Sequence, residues 1–191
     1  IRLQWEITNR CNLHCAFCYN SDDRAGHQAL APEVSRSLAQ QIVNTNVLEV
    51  VLTGGEILAD WELSRDVARI LSGGGVGLHL ITNGWFLDDE KIQEMKNWNL
   101  LSVQVSIDGA DATVHDEMRG RPGSWKRAVT GVRRLVEAGI FTVVGCVMTR
   151  RNWRSLEDFI EFCLLLGVRR LLIGDMLLVG GGARCRSELL L

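Results

Sequence analysis

The sequence lacks long apolar runs, an excess of charge of one sign and a phosphate-binding loop. No apolar stretch reaches the roughly 20 residues of a membrane-spanning helix, and no secretory signal is recognisable. The formal net charge is only −2, and no basic face or acidic tail points to nucleic acid or to a membrane surface. The glycine runs at 73–77 and 180–182 lack the Lys-Ser/Thr of a phosphate loop, so we interpret them as breakers. We therefore expect no nucleic-acid partner and no membrane association.

The composition is that of an ordinary globular protein. The 191 residues are 47% hydrophobic and 23% charged, which is enough for one domain with a substantial core. The chain begins at Ile1 and ends in Leu191 within a run that reads like the middle of a protein, so we expect residues 1–191 to be one core domain cut from a longer chain.

The six cysteines are unevenly distributed along the chain. Three lie within residues 11–18, whereas Cys146, Cys163 and Cys185 are scattered. A small secreted domain would use six cysteines for three disulfides, but this distribution fits a reducing compartment and predicts a cytoplasmic protein. We interpret Cys146 and Cys163 as small core residues, and Cys185 as either inert or the leading edge of a missing extension.

Strand and helix patterns alternate along the whole chain. We predict strands at 3–8, 47–52, 76–81, 101–107, 141–148 and 168–173, and helices at 32–45, 63–71 and 88–97. Two further helices show apolar faces: Trp125, Ala128, Val129, Val132, Leu135 and Val136 on the first, and Leu156, Phe159, Ile160, Cys163 and Leu164 on the second. Six such units predict an α/β fold with parallel strands and right-handed crossovers. In such folds ligands bind at the carboxyl ends of the strands.

The most informative motif follows the first strand. Cys11, Cys15 and Cys18 form a C-x3-C-x2-C pattern on one short loop. Three thiolates can hold three corners of an iron–sulfur cube and leave the fourth iron open to a substrate. A structural zinc site is the alternative, but it needs a fourth ligand such as His14 or His27, and its cysteines usually have other spacings.

This loop resembles the signature of the radical S-adenosylmethionine (radical SAM) enzymes, in which an aromatic residue, here Phe17, precedes the third cysteine. The resemblance implies a partial (β/α)6 barrel over essentially the whole chain, a 4Fe-4S cluster with an open iron, and S-adenosylmethionine bound to that iron. It also implies that reductive cleavage of S-adenosylmethionine yields a 5′-deoxyadenosyl radical that abstracts hydrogen from a substrate.

Further candidate residues stand at the predicted strand ends. Gly54-Gly55-Glu56 follows the second strand; glycines let the backbone approach a ligand, and the carboxylate can accept hydrogen bonds from an ammonium group. The resemblance implies that this segment holds the amino group of S-adenosylmethionine, although Ile57 stands where many family members have proline. A tight turn before a helix is the alternative.

Ser106 and Asp108 are two apart at the end of the fourth strand, so we expect both on one face, where they suit ribose hydroxyls. The resemblance makes Arg119 the partner of the cofactor's carboxylate, with a surface salt bridge as the alternative. Phe17 is expected to offer its backbone to the adenine, and Asn152 to reach the nucleoside unless it is a solvated loop residue. Thr82-Asn83-Gly84 is interpreted as a turn that shapes the floor of the pocket.

The stretch 106–139 most resembles the branch that matures peptides and proteins, and haem-modifying relatives share its pattern. A peptide, a protein or a small molecule is therefore the expected substrate, and a flavodoxin or ferredoxin the expected electron donor. A C-terminal extension or a partner chain is expected to close the barrel. A non-catalytic iron–sulfur electron-transfer protein is the remaining alternative.

Overall fold

In the computed structural model, which describes residues 1–21 and 30–191, six parallel strands form one sheet in the order β1-β2-β3-β4-β5-β6. The strands are β1 Arg2–Thr8, β2 Glu49–Gly54, β3 Gly77–Thr82, β4 Leu100–Ser106, β5 Thr142–Met148 and β6 Arg170–Asp175. Each strand pairs with the next one along the chain, so all six carboxyl ends lie on one rim. The predicted partial (β/α)6 barrel is confirmed.

The helices are α1 Pro32–Val43, α2 Trp61–Gly73, α3 Asp89–Met95, α4 Ala112–Arg119, α5 Ser124–Glu137, α6 Leu156–Leu165, α7 Gly181–Arg184 and α8 Arg186–Leu189, with 3₁₀ turns at Ile57–Asp60 and Trp153–Ser155. Helices α1 to α6 lie between successive strands, whereas α7 and α8 follow β6. The sequence patterns did not predict α4, α7 and α8. These helices are short, and α4 contributes only three buried side chains, two of which are His115 and Arg119.

The core lies between the sheet and the helices. On α5, Ala128, Val129, Val132 and Leu135 are buried as predicted. On α6 the predicted face is only half correct, because Phe159 and Cys163 are buried whereas Leu164 is 68% exposed. The reason is position: α6 precedes β6, which forms an edge of the sheet, so only one side of this helix is packed against neighbours.

The opposite face of the sheet forms the interior of the open barrel and carries polar as well as apolar side chains. Along β4, Val103 and Val105 are buried on the helix side, while Gln104 and Ser106 line the interior. Nearer the amino ends, His79 on β3 contacts Ser102 through Nδ1 at 2.7 Å and Glu49 through Nε2 at 3.3 Å. On β4 the alternation therefore places polar side chains inside the barrel and apolar ones against the helices.

Candidate functional site

Residues 11–18, here called the cysteine loop, leave β1 and are held at their start by the end of β2. Gly55 N–H donates to the carbonyl of Thr8 at 2.6 Å, and Glu56 N–H donates to the carbonyl of Arg10 at 2.7 Å. A Cβ on Gly54 or Gly55 would clash with the same two carbonyl oxygens. The two glycines therefore permit a close approach of backbone to backbone, at the loop that carries the cysteines.

The carboxyl end of α4 holds the middle of the cysteine loop. His14 N–H donates to the carbonyl of Arg119 at 3.2 Å, and Ala16 N–H donates to that of Met118 at 3.0 Å. The last carbonyls of a helix have no partner inside the helix, so the loop satisfies groups that would otherwise lack one.

The segment after β6 holds the end of the cysteine loop. Gly181 N–H donates to the carbonyl of Cys18 at 2.8 Å. A Cβ on Gly180 would clash with the carbonyl oxygen of Tyr19, and a Cβ on Gly181 would clash with that of Ala16. The interpretation of 180–182 as a simple breaker was incomplete, because these glycines let the chain lie directly against the loop.

The three loop thiols line one cavity of about 550 Å³ at the carboxyl ends of the strands. Gly54, Gly55, Ser106, Arg119 and Phe17 line the same cavity, so five of the predicted cofactor-binding residues meet there. None of the six cysteines forms a disulfide. The cavity is thus the place where the sequence motifs converge.

The thiols fit an iron–sulfur cluster better than a single metal ion. Within residues 1–21 and 30–191, no three Cys, His, Asp or Glu side chains converge closely enough to hold one ion. A four-iron cube spaces its thiolate ligands further apart than a zinc ion does, so Cys11, Cys15 and Cys18 are the residues that would hold it. His14 is exposed on the loop, and His27, the other conceivable zinc ligand, lies outside the described residues.

The electrostatics of the loop centre on Cys15 and Arg119. Burial raises the pKa of the Cys15 thiol, and the Arg119 guanidinium, whose Nη1 lies 3.9 Å from Sγ, opposes that rise. The guanidinium also lies over the Phe17 ring, 5.1 Å from its centroid. Because ligand thiols must lose their protons, loading of a cluster at this loop is expected to release protons and to be favoured by the neighbouring positive charge.

Arg119 is held by a buried carboxylate, so the alternative of a surface salt bridge is wrong. Its Nε donates to Asp108 Oδ2 at 2.6 Å, and the two side chains are 9% and 0% exposed. Burial alone would lower the pKa of Arg119, but Asp108 and Cys15 raise it above its usual range, which keeps the side chain charged.

Ser106 and Asp108 do not share a face. Ser106 lines the cavity. Strand β4 ends at Ser106, and beyond that point the chain turns the side chain of Asp108 away from the cavity and into the protein. Asp108 Oδ1 accepts from Val147 N–H at 3.0 Å, while its own N–H donates to His115 Nδ1 at 3.1 Å. The expected alternation fails because the regular strand stops two residues before the carboxylate.

Glu56 and Asn152 are also buried behind the cavity wall. Glu56 accepts from Leu58 N–H at 3.0 Å, from Thr82 Oγ1 at 2.6 Å and from Asn83 N–H at 2.6 Å. Burial raises its pKa, and these donors act in the opposite direction. Asn152 donates through Nδ2 to the carbonyls of Asp108 and Val147, both at 2.9 Å. Neither side chain is among the described residues that line the cavity.

The sequence analysis missed several residues that contact the site. Asn83 Nδ2 lies 3.8 Å from Cys11 Sγ and donates to Asn12 Oδ1 at 2.8 Å, a role more specific than the predicted pocket floor. His115 is buried, its Nε2 has no hydrogen-bond partner among the described residues, and burial together with Arg119 lowers its pKa to about 4. Cys146 is buried as predicted but also lines the cavity.

Gln104 also lines the cavity, and the sequence carries a signal for it. Polar residues occupy every second position of β4, which is the pattern of a strand with one polar face.

Comparisons with known proteins agree with this geometry. A family model described as the radical SAM superfamily matches residues 5–163. The sporulation killing factor maturation protein SkfB of Bacillus subtilis (strain 168) is 31% identical over 175 residues, which cover 92% of this chain and 42% of that protein. The AdoMet-dependent heme synthase of Methanosarcina barkeri (strain Fusaro / DSM 804) is 28% identical over 166 residues, covering 86% of this chain and 47% of that protein.

Among solved structures, Streptococcus suis SuiB bound to precursor peptide SuiA superposes with a TM-score of 0.80 at 16% identity, covering 93% of this chain and 39% of that one. The likeness shows the same fold. The chain spans less than half the length of each of these three proteins.

Proposed function

Because the chain belongs to the radical SAM superfamily, we propose that Cys11, Cys15 and Cys18 hold a 4Fe-4S cluster and that the adjoining cavity binds S-adenosylmethionine. When bound, these cofactors supply a one-electron reductive cleavage that yields a 5′-deoxyadenosyl radical. The observation that carries the proposal is the meeting of three thiols and a buried guanidinium on the wall of one cavity.

The chain's own residues bind and orient these cofactors in two layers. Gly54, Gly55, Phe17, Ser106 and Arg119 line the cavity, so they are the surface that S-adenosylmethionine would contact. We propose that Arg119 pairs with the carboxylate of S-adenosylmethionine, because a guanidinium recognises carboxylates through paired hydrogen bonds.

The second layer consists of Glu56, Asp108 and Asn152. Each is buried, and each is bonded to protein groups that border the cavity. We propose that these three residues act by holding Asn83, Arg119 and Val147 in place. Such support is what a binding site needs to keep its contact residues in one geometry.

The test is anaerobic reconstitution followed by addition of S-adenosylmethionine and dithionite. The protein should turn brown, bind iron and sulfide, and release methionine and 5′-deoxyadenosine. Cys15→Ala should lose both colour and cleavage. Cys163→Ala, a change on the buried side of α6 in the hydrophobic core, should keep both. A Cys15→Ala protein that retains the full cluster spectrum would overturn the ligand assignment.

We further propose that the substrate is a peptide or protein side chain. SkfB is named as a maturation protein, and SuiB has been solved with a precursor peptide. In this chain β6 pairs with β5 alone among the described strands, and it presents Leu172 and Ile173 at 46% and 45% exposure on the cavity side. An extended peptide can add to such an edge through backbone hydrogen bonds.

Modification of haem is the second candidate, because a heme synthase is 28% identical over most of the chain. The two are separated by supplying the full-length protein either with deuterated candidate precursor peptides or with a deuterated porphyrin. Deuterium appearing in 5′-deoxyadenosine from the peptide supports the first candidate. Transfer from the porphyrin alone contradicts it.

A further inference from the structure

One polar side chain on the cavity wall has no role in the cofactor binding proposed above. Gln104 lines the cavity from β4, and its side-chain amide has no hydrogen-bond partner among the described residues. Ser102, two positions earlier on the same strand, does have one, because His79 Nδ1 lies 2.7 Å from its Oγ. Polar groups inside a protein normally have partners, so the half-buried amide of Gln104 is available to a molecule that enters the cavity.

Gly145 on the neighbouring strand β5 makes room for this amide. In the sheet, Gln104 is paired with Val143, whereas Gly145 is paired with Ser106. A Cβ on Gly145 would nevertheless clash with Nε2 of Gln104 and lie 3.0 Å from its Cδ. The side chain of Gln104 therefore extends toward the carboxyl end of the sheet. Its amide reaches the level of Ser106, beside the rim on which the cofactors are proposed to bind.

The chemistry of a carboxamide restricts what Gln104 can recognise. Its NH₂ group donates hydrogen bonds and its carbonyl oxygen accepts them, so a second amide, which offers an acceptor beside a donor, complements both halves of the side chain. A carboxylate offers only acceptors and an ammonium group offers only donors, so each of them satisfies one half and leaves the other without a partner. Gln104 therefore favours a ligand that contains an amide group.

We propose that Gln104 binds an amide group of the substrate, either a backbone peptide group or a side-chain carboxamide, and thereby positions the carbon–hydrogen bond that reacts. The inference rests on the proposed function, because it takes the rim as the place of the cofactors. In the reaction that carbon–hydrogen bond breaks, and the hydrogen atom with its one electron passes to the 5′-deoxyadenosyl radical, which leaves a radical on the substrate carbon. Such a transfer needs the reacting atoms in close, aligned contact, which a substrate held beside the rim provides.

The adenine of S-adenosylmethionine is the other amide-like partner, because its edge also offers an acceptor beside a donor. We assign the substrate because Gln104 is rooted inside the rim: its Cα lies about 7 Å nearer the amino ends than that of Ser106, at about 3.3 Å per residue of strand. The cavity continues inward beyond that point, since Gln4, which also lines it, is level with Ser102 across the sheet. The amide of Gln104 thus lies between the proposed cofactor surface and the inner part of the cavity.

The first test measures binding without the cofactors. The cluster-free full gene product is isotope-labelled, and its side-chain amide signals are followed by nuclear magnetic resonance during addition of N-methylacetamide, which is a single peptide group. The signal that Gln104→Leu removes should shift strongly with N-methylacetamide and less with methyl acetate, which lacks the N–H donor. The exposed Gln93 on α3, identified by Gln93→Leu, is the internal control. A shift at Gln104 no larger than that at Gln93 would overturn the proposal.

The second test uses the cluster-loaded full gene product with the precursor peptide that transfers deuterium in the experiment described above. Gln104→Leu should weaken peptide binding by roughly tenfold, the usual effect of losing a pair of neutral hydrogen bonds. Product formed per 5′-deoxyadenosine released should fall severalfold, because a misplaced substrate lets the radical react elsewhere. Gly145→Ala keeps the amide but displaces it and should act in the same direction. Gln93→Leu should leave both quantities unaltered.

Binding of S-adenosylmethionine and its cleavage by dithionite without peptide should be unaltered in all of these variants. Weaker S-adenosylmethionine binding in Gln104→Leu would assign the amide to adenine and overturn the proposal. Unaltered peptide binding and coupling in Gln104→Leu would overturn it as well, and so would a porphyrin as the sole deuterium donor, since a porphyrin contains no amide group. Failure of the unaltered protein to form a cluster or to cleave S-adenosylmethionine would instead contradict the proposed function, which the resonance measurement does not use.

Discussion

The buried ion pair between Asp108 and Arg119 determines how positive charge is placed beside Cys15. The carboxylate also accepts from Val147 N–H, so it connects β5 with the helix that holds the cysteine loop. A buried charge that loses its partner is costly, because the remaining group is neither solvated nor neutralised.

At the residue scale, we expect Asp108→Asn to destabilise the cluster-free protein by about 3–5 kcal/mol, because it leaves the Arg119 charge buried without a counter-ion. Urea denaturation followed by circular dichroism measures this. The matched control is Asp66→Asn, which removes the partly exposed pair with Arg36 and should cost about 1 kcal/mol or less. Equal losses in the two variants would contradict the buried-pair argument.

His115 predicts the pH dependence of stability. Its pKa is lowered from 6.5 to about 4 in the folded protein, so between these values the unfolded chain binds more protons than the folded one. Stability should therefore fall as the pH drops from 6.5 to 4, by up to about 1.4 kcal/mol per pH unit from this group.

His115→Asn keeps an acceptor near Asp108 N–H and should remove the contribution of this group to the fall in stability between pH 6.5 and 4. The exposed His14 supplies the control, and the His14→Asn variant should show the same pH dependence of stability as the unaltered protein. Identical pH profiles for both variants would show that His115 is not the responsible group.

At the scale of elements, three separate segments converge on the cysteine loop: the end of β2, the end of α4 and the glycines after β6. None of these three segments is adjacent to the cysteine loop in sequence. Each of these three segments supplies backbone groups, so these hydrogen bonds depend on side-chain identity only through the absence of a Cβ, and Asn83 adds a side-chain hydrogen bond to Asn12.

Gly55→Ala and Gly181→Ala should each push the loop away from its support, since the new Cβ would clash with the carbonyl oxygens of Arg10 and Ala16 respectively. We expect lower iron and sulfide content after reconstitution and an altered electron paramagnetic resonance spectrum of the reduced cluster. Gly73→Ala is the control, because a Cβ there meets nothing within 4 Å. Full cluster loading in both loop variants would contradict the close-contact argument.

At the scale of the whole molecule, the sheet formed by the described residues has two free edges, β1 and β6, and the barrel is open between them. Edge strands offer unpaired backbone groups, and a radical reaction needs a site closed to water and oxygen. No helix in residues 1–21 and 30–191 is long and apolar enough to cross a membrane. We propose that residues 1–191 form a core domain whose opening is covered by an extension, a partner chain or the substrate.

Residues 1–191 alone should therefore bind the cluster and cleave S-adenosylmethionine, but modify the natural substrate poorly. The measurement compares product formed per 5′-deoxyadenosine released by residues 1–191 and by the full gene product. An equal ratio and an equal rate in both proteins would refute the need for a cover.

The strands, the cysteine motif and the rim on which the site lies were predictable because each depends on local patterns. A buried parallel strand is a short apolar run, and parallel connections place every carboxyl end on one edge. These rules placed Cys11, Gly54 and Ser106 correctly on one cavity without any knowledge of tertiary contacts.

The second layer of the site was decided only by the tertiary structure. The carboxylates of Glu56 and Asp108 turn from the cavity toward donors far away in sequence, such as Asn83 N–H and Val147 N–H. Gly181 contacts the carbonyl of Cys18 across most of the chain's length. A buried polar group must find a partner wherever the fold supplies one, and no periodicity or spacing in the sequence reports which distant residue that will be.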